Sequence, residues 1–194
     1  MPDATPADPI RGDGPPLVTA GQPGARRLIV LDPAGSAKHD GLPATWRPLA
    51  DDHEILWCRL PVPGAWDKCA EVLAEPAGPL RLSDLVASGP VATEALRAAA
   101  RFPSALRSVL LVDPAAEGVV SPGDAAAEDQ AWFAKHGNEI AVLRESGTEV
   151  RVIAHSTETP DDQVPAPLPL GHGRVVQALR ETLDDLPAIR RPDF

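Results

Sequence analysis

Apolar positions along this chain fall into short runs and helical stripes that alternate from Arg26 onward. "RRLIVLDP", beginning at Arg26, is a β-branched run closed by a turn, the pattern of a strand buried on both faces. "ATWRPLADD" predicts a short amphipathic helix and "HEILWCRLPVPG" a second strand stopped by Pro and Gly. "WDKCAEVLAE" carries apolar residues at helical spacing. "RLSDLVAS" then predicts a third strand, "VATEALRAAARF" a helix stopped by Pro103, and "LRSVLLVDP" a fourth strand. A longer helical stretch, "DAAAEDQAWFAKHGNEIAVLRESG", ends at Gly147 and leads to a fifth strand, "TEVRVIAHS", and a closing helix, "GRVVQALRETLDDL". The connecting segment "TETPDDQVPAPLPLGH" is too rich in proline for a central strand and leaves room only for an edge extension.

Strands that alternate with helices pair in parallel through right-handed crossovers. The expected fold class is therefore α/β, a doubly wound parallel sheet of about five strands with helices on both faces. At 194 residues the chain suffices for one such domain and is short for two cores. Residues 1–24 are dominated by Pro, Gly, Ala and Asp, cannot bury enough surface to offset their ordering entropy, and are expected to be a flexible tail. The single domain then spans residues 25–187, with 188–194 as a C-terminal tail. Trp46, Trp57, Phe102 and Trp132 fall within these patterns and are expected to be buried anchors, while Trp66, after the "LPVPG" turn, is a candidate for stacking on a ligand.

Charge narrows the partners. A net charge of -10, without a cluster of Lys and Arg, repels phosphate backbones and anionic lipid surfaces, so neither nucleic acid nor membrane is expected. No apolar run approaches membrane-spanning length, and the acidic, proline-containing start is unlike a signal peptide. The two cysteines, Cys58 and Cys69, fit neither a disulfide framework nor a zinc knuckle; reduced core thiols and a cytoplasmic location are the expectation.

Two stretches carry a likeness to a known family. "LIVLDPAGS" followed by "TWRPLADDHEILWCRLPVPG", and "DLVASGPVATEALRAAARFPSALRSVLLVDPA", resemble the α/β-hydrolase family in order and spacing. In the first, an oxyanion loop precedes a helix, a strand and a turn. In the second, the nucleophile elbow joins a strand to its helix and to the next strand. The resemblance covers about Arg26 to Ala115 and implies the strand order second, first, third, fourth, fifth. It also implies a ligand crevice where the first and third strands meet.

Carried onto this sequence, the elbow's first glycine is Ala87, its variable position Ser88, its nucleophile Gly89 and its last glycine Val91. Gly89 has no side chain to attack with. The dipeptide that opens the oxyanion loop is Asp32-Pro33, which removes an amide donor and adds a carboxylate. Asp161 or Asp162 stands where the family has its acid, and His172 where it has its base. The cap insertion and the antiparallel strands before Arg26 have no counterpart in the pattern. The expected function is therefore that of a catalytically degenerate member that binds a partner protein or a small ligand. Its crevice would be lined by Asp32, Ala34, Ser36, His39, Ser88, Gly89 and His155, with open space beside Gly89. The alternative is an esterase or thioesterase that uses relocated groups, Ser88 with His172 and Asp162.

The remaining candidates read more simply. Ser88 is expected to cap the following helix, Ser36 to shape a Gly-Ser turn, and Asp113 to form the turn before Pro114. His39, His155 and His172 lack the spacing of a local metal site, so no metal is expected. No G-x-G-x-x-G loop is present, so no nucleotide cofactor is expected, and no cofactor of any other kind.

Overall fold

The computed structural model describes residues 13–37, 41–75, 82–159 and 162–186. Its main sheet has six strands: β1 (Leu17–Gly21), β2 (Arg26–Asp32), β3 (His53–Arg59), β4 (Ser83–Ser88), β5 (Leu106–Val112) and β6 (Glu149–Ala154). They lie in the order β1-β3-β2-β4-β5-β6, with every neighbouring pair parallel except β1 against β3. The helices are α1 (Ala65–Ala74), α2 (Ala92–Arg101), α3 (Ala125–Lys135), α4 (Gly137–Glu145) and α5 (Gly173–Asp185). A separate two-stranded pair, β7 (Glu158–Thr159) and β8 (Asp162–Gln163), interrupts the proline-rich segment before α5.

Alternate residues of each strand enter opposite apolar layers, because side chains of a strand alternate between its faces. In β2, Ile29 and Leu31 join a cluster completed by Cys69 and Leu73 of α1, Leu96 of α2 and Ile140 of α4. Leu28 and Val30 join a second cluster with Trp46, Trp57 and, from α5, Val175 and Leu179. Both layers are fully buried at β2, which explains why its sequence reads as a continuous apolar run rather than an alternating one.

The expected flexible tail holds a strand, and the sheet is mixed with six strands rather than parallel with five. Leu17–Gly21 borrows its stability from β3: Leu17 pairs opposite Cys58, and Gly21 opposite Glu54. Two further features fix it. Arg59 is fully buried and donates to the carbonyls of Ala37, Asp13 and Pro15. Gly21 has φ +88 and lies so close to the His53 carbonyl that a Cβ would collide with it, so only glycine fits there. A segment without a core of its own can still be ordered when a neighbouring strand supplies the partners.

Other boundaries shift for local reasons. The predicted helix after β2 is a three-ten turn, Ala44–Leu49, with Pro48 inside it and Trp46 and Leu49 buried. The long helical stretch is two helices meeting at His136, whose backbone leaves the helical region. They bury unlike faces, Ala125 and Asp129 in α3 but Ile140 and Leu143 in α4. Trp46 and Trp57 are fully buried and meet edge to face at 4.8 Å. Phe102 and Trp132 are half-buried against the core rather than enclosed by it. Cys58 and Cys69 are buried free thiols, and a mutual hydrogen bond together with burial pushes the Cys58 thiol up. Among the described residues no helix is long and apolar enough to cross a membrane.

Candidate functional site

Strand β4 runs buried along its whole length to Ser88, which is still extended at φ -129, and the chain then turns at Gly89 with φ +57. Pro90 follows in the first turn, where a missing amide is tolerated, and Gly89–Val91 lead directly into α2. The strand thus passes into its helix through a sharp turn whose left-handed residue is Gly89. The space beside it is not open. A Cβ on Gly89 would stand 3.0 and 3.2 Å from two carbons of the Pro167 ring and 3.8 Å from Ala116 Cβ. Pro167 therefore crowds the position beside Gly89 where open space was expected. Ser88 is 3% exposed and makes no capping bond to the helix amides, so its expected cap is absent as well.

The loop after β2 is organised by Asp32 from within. Its fully buried carboxylate accepts from the Ala34 amide at 3.1 Å on one oxygen. The other oxygen accepts from the Ala37 amide at 3.2 Å and from Trp57 Nε1 at 2.8 Å. With both oxygens engaged, Asp32 holds a loop rather than presenting charge to a ligand. Ala34 is exposed and Ser36 half-buried on that loop. His39 and Asp161 lie outside the described residues.

A second carboxylate fixes what covers the elbow. Asp113, at φ +44 just after β5, is fully buried and accepts from the Ser156 amide at 2.7 Å, from Ser156 Oγ at 2.8 Å and from the Leu168 amide at 2.6 Å. The last bond anchors the residue next to Pro167, whose peptide with Ala166 is cis, and so holds the proline over Gly89. The simple turn expected at Asp113 understates it: the carboxylate joins segments 43 and 55 residues away.

Of the groups named for a relocated triad, His172 is the N-cap of α5, its Nδ1 accepting from the Arg174 amide at 3.3 Å. The backbone of Asp162 pairs opposite Thr159 in β8.

A hollow lies elsewhere, between α3 and the edge strand β6. It measures about 560 Å³ and opens to solvent. Phe133, Val150 and Val152 line it, with Asp129 and His155 toward the carboxyl end of β6 and Arg144 toward its amino end. Arg144 donates to the Val150 carbonyl at 2.8 Å and lies 5.3 Å over the Phe133 ring. Asp129 is 3% exposed; Oδ1 accepts from the Ala115 amide at 3.0 Å, whereas Oδ2 is buried without a partner. Burial pushes this carboxyl up to about 7, and the neighbouring Asp113 charge adds to the effect.

Of the residues expected to line one crevice, Asp32 and Gly89 are engaged in packing and His155 belongs to the α3–β6 groove. Asp129 escaped the sequence reading because it sits in a helical stretch among Ala, Glu and Gln, where an acid reads as a solvated position. Its signal, visible only in hindsight, is that α3 has almost no other residue to bury. Among the described residues no group of three or more His, Cys, Asp or Glu could hold a metal ion.

No protein-family model, curated protein or solved structure matches this chain.

Proposed function

We propose that the chain is a catalytically degenerate, doubly wound α/β-hydrolase-like domain that acts by binding a partner protein or a small ligand, in the cytoplasm. The observation that carries this reading is the turn at Gly89. It keeps the left-handed geometry of an elbow, yet has no side chain, and the Pro167 ring occupies the place where one would project. The Asp32-Pro33 start of the neighbouring loop supports it, since Pro33 has no amide for an oxyanion and the Asp32 carboxylate is committed to Ala34, Ala37 and Trp57. Removing a nucleophile alone can leave residual rate enhancement from an oxyanion hole, but here both parts are compromised.

The test is direct. The protein and a Ser88→Ala variant are incubated with a fluorophosphonate probe and with short acyl esters. The reading expects neither labelling nor turnover from either. Labelling of the protein that disappears in Ser88→Ala would replace it with an esterase or thioesterase using Ser88, His172 and Asp162.

A further inference from the structure

A carboxylate removed from water needs donors, and without them the neutral, protonated form is the cheaper one to bury. Asp129 Oδ2 has no donor among the described residues and essentially no accessible surface, so solvent does not reach it while α3 is docked. The other oxygen accepts from the Ala115 amide at 3.0 Å. Asp113, whose own carboxylate is occupied by Ser156 and Leu168, adds like-charge repulsion two residues before that amide. The docked position therefore accommodates a neutral Asp129 and opposes an ionised one.

The two halves of α3 are held unequally. Toward its carboxyl end Trp132 and Phe133 are half-buried against the core, and Trp132 lies on the His136 ring at 4.3 Å. Across 125–129 only Ala125 and Asp129 are buried, while Ala126, Ala127 and Glu128 are exposed. The segment that leads into the helix is thinly packed as well, with Val120 97% exposed. Lifting the first half of α3 uncovers little apolar surface and brings both oxygens of Asp129 to water.

We propose that the amino-terminal half of α3 is a proton-gated flap, docked on the 113–118 turn while the Asp129 carboxyl keeps its proton and lifted when that proton leaves to water. Ala126, Asp129 and Gln130 line the groove beside β6, so lifting widens the groove at that wall. This gate does not depend on how the turn at Gly89 is read.

Burial pushes the docked carboxyl up to about 7 from an ordinary 3.8, so between those values each opening releases one proton. The opening equilibrium should rise about tenfold per pH unit from about pH 5 to about pH 7 and level off above. Amide hydrogen exchange of the full chain, followed by NMR and divided by the intrinsic exchange rates, reads this opening at Ala115, whose N–H is the donor to Asp129. Leu110, fully buried in β5, reports unfolding of the sheet in the same experiment. The Ala115 amide is expected to open more readily than that of Leu110 at every pH and to follow the one-proton slope. Asp129→Asn, which keeps an oxygen for Ala115, should make its opening independent of pH.

Other charges surround Asp129: Asp113 after β5, His155 after β6, Arg151 on β6 and Arg144 on α4, with Glu117 on the turn and Glu128 on α3 exposed. Histidines as a class change charge between about pH 5 and 8. His155→Gln is therefore measured in parallel, and the rise should persist in it.

An Ala115 amide that opens no more readily than Leu110, an opening that does not rise with pH, a rise that survives in Asp129→Asn, or one that vanishes in His155→Gln would overturn the proposal. Should Asp129→Asn fail to fold, the carboxyl ¹³C shift of Asp129 in the unaltered protein takes its place. It should titrate together with the Ala115 opening, and a carboxyl already ionised at about pH 5 would overturn the gate.

Discussion

Replacing Gly89 by alanine adds one methyl group at the point where the elbow, the Pro167 ring and Ala116 converge. Two costs follow. At φ +57 an L-residue meets its own carbonyl, which costs about 1–2 kcal/mol. The new Cβ would also stand 3.0 and 3.2 Å from Pro167, inside ordinary carbon contact. The proline has little freedom to retreat, because the adjacent Leu168 amide is bonded to buried Asp113 at 2.6 Å. Overpacking of this kind costs a further 1–3 kcal/mol or so, while lost freedom in the unfolded chain returns about 0.4–1 kcal/mol. The expected net loss is about 2–4 kcal/mol, a fall in Tm of roughly 5–15 °C for a chain of this size. Gly64→Ala is the matched control: its φ is +79 but no atom lies within 4 Å of its Cβ position, so it carries the backbone cost alone. Thermal and urea unfolding followed by circular dichroism measures both. If Gly89→Ala melts with or above Gly64→Ala, Pro167 does not close the turn and a side chain at position 89 has room.

Three further outcomes are expected. Asp113→Ala leaves the Ser156 amide, Ser156 Oγ and the Leu168 amide without their acceptor and should lower the urea-derived stability by about 3–5 kcal/mol; Asp113→Asn, which tolerates φ +44, should lose less. Trp57→Ala removes a fully buried ring and one donor to Asp32, for a loss of about 3–5 kcal/mol, and Trp57→Phe should recover most of it. Protonated Asp129 contributes stability that is complete below its unfolded value of 3.8 and lost as pH rises through about 7. Asp129→Asn should therefore match the protein only below about pH 4, pull ahead steadily as pH rises, and exceed it by no more than about 4 kcal/mol near about pH 8, in paired urea titrations.

The parallel strands were legible because they are buried on both faces: "LIVL", "EILWC", "DLVAS" and "SVLLV" have no polar alternation to obscure them. β1 was not legible, since Leu17–Gly21 has one deeply buried side chain, Val18, and its order comes from pairing with β3 rather than from its own composition. The break at His136 was hidden for a related reason. Its local mark is slight, Gly137 followed by Asn138, and the change of buried face from α3 to α4 divides the stretch. At the turn after β4 the absence of a side chain could be read from Gly89 itself. The proline that covers it could not, because Pro167 lies 78 residues further along and is brought there by a bond to Asp113 that no local pattern encodes.

Three buried acids near the carboxyl ends of the strands differ in how far the fold answers their charge. Asp32 and Asp113 each receive three hydrogen bonds, and each ties a loop to the sheet through partners that are themselves buried or fixed. Their charge is answered within the protein. Asp129 receives one bond and leaves its second oxygen unmatched, and it does so at the wall of a groove rather than inside a loop. An asparagine there would keep the Ala115 bond without the cost of a desolvated acid, so folding alone gives no reason for the carboxyl. The turn at Gly89 is closed by Pro167, which the bond from Leu168 to Asp113 holds in place, whereas Asp129 keeps an oxygen without a donor among the described residues.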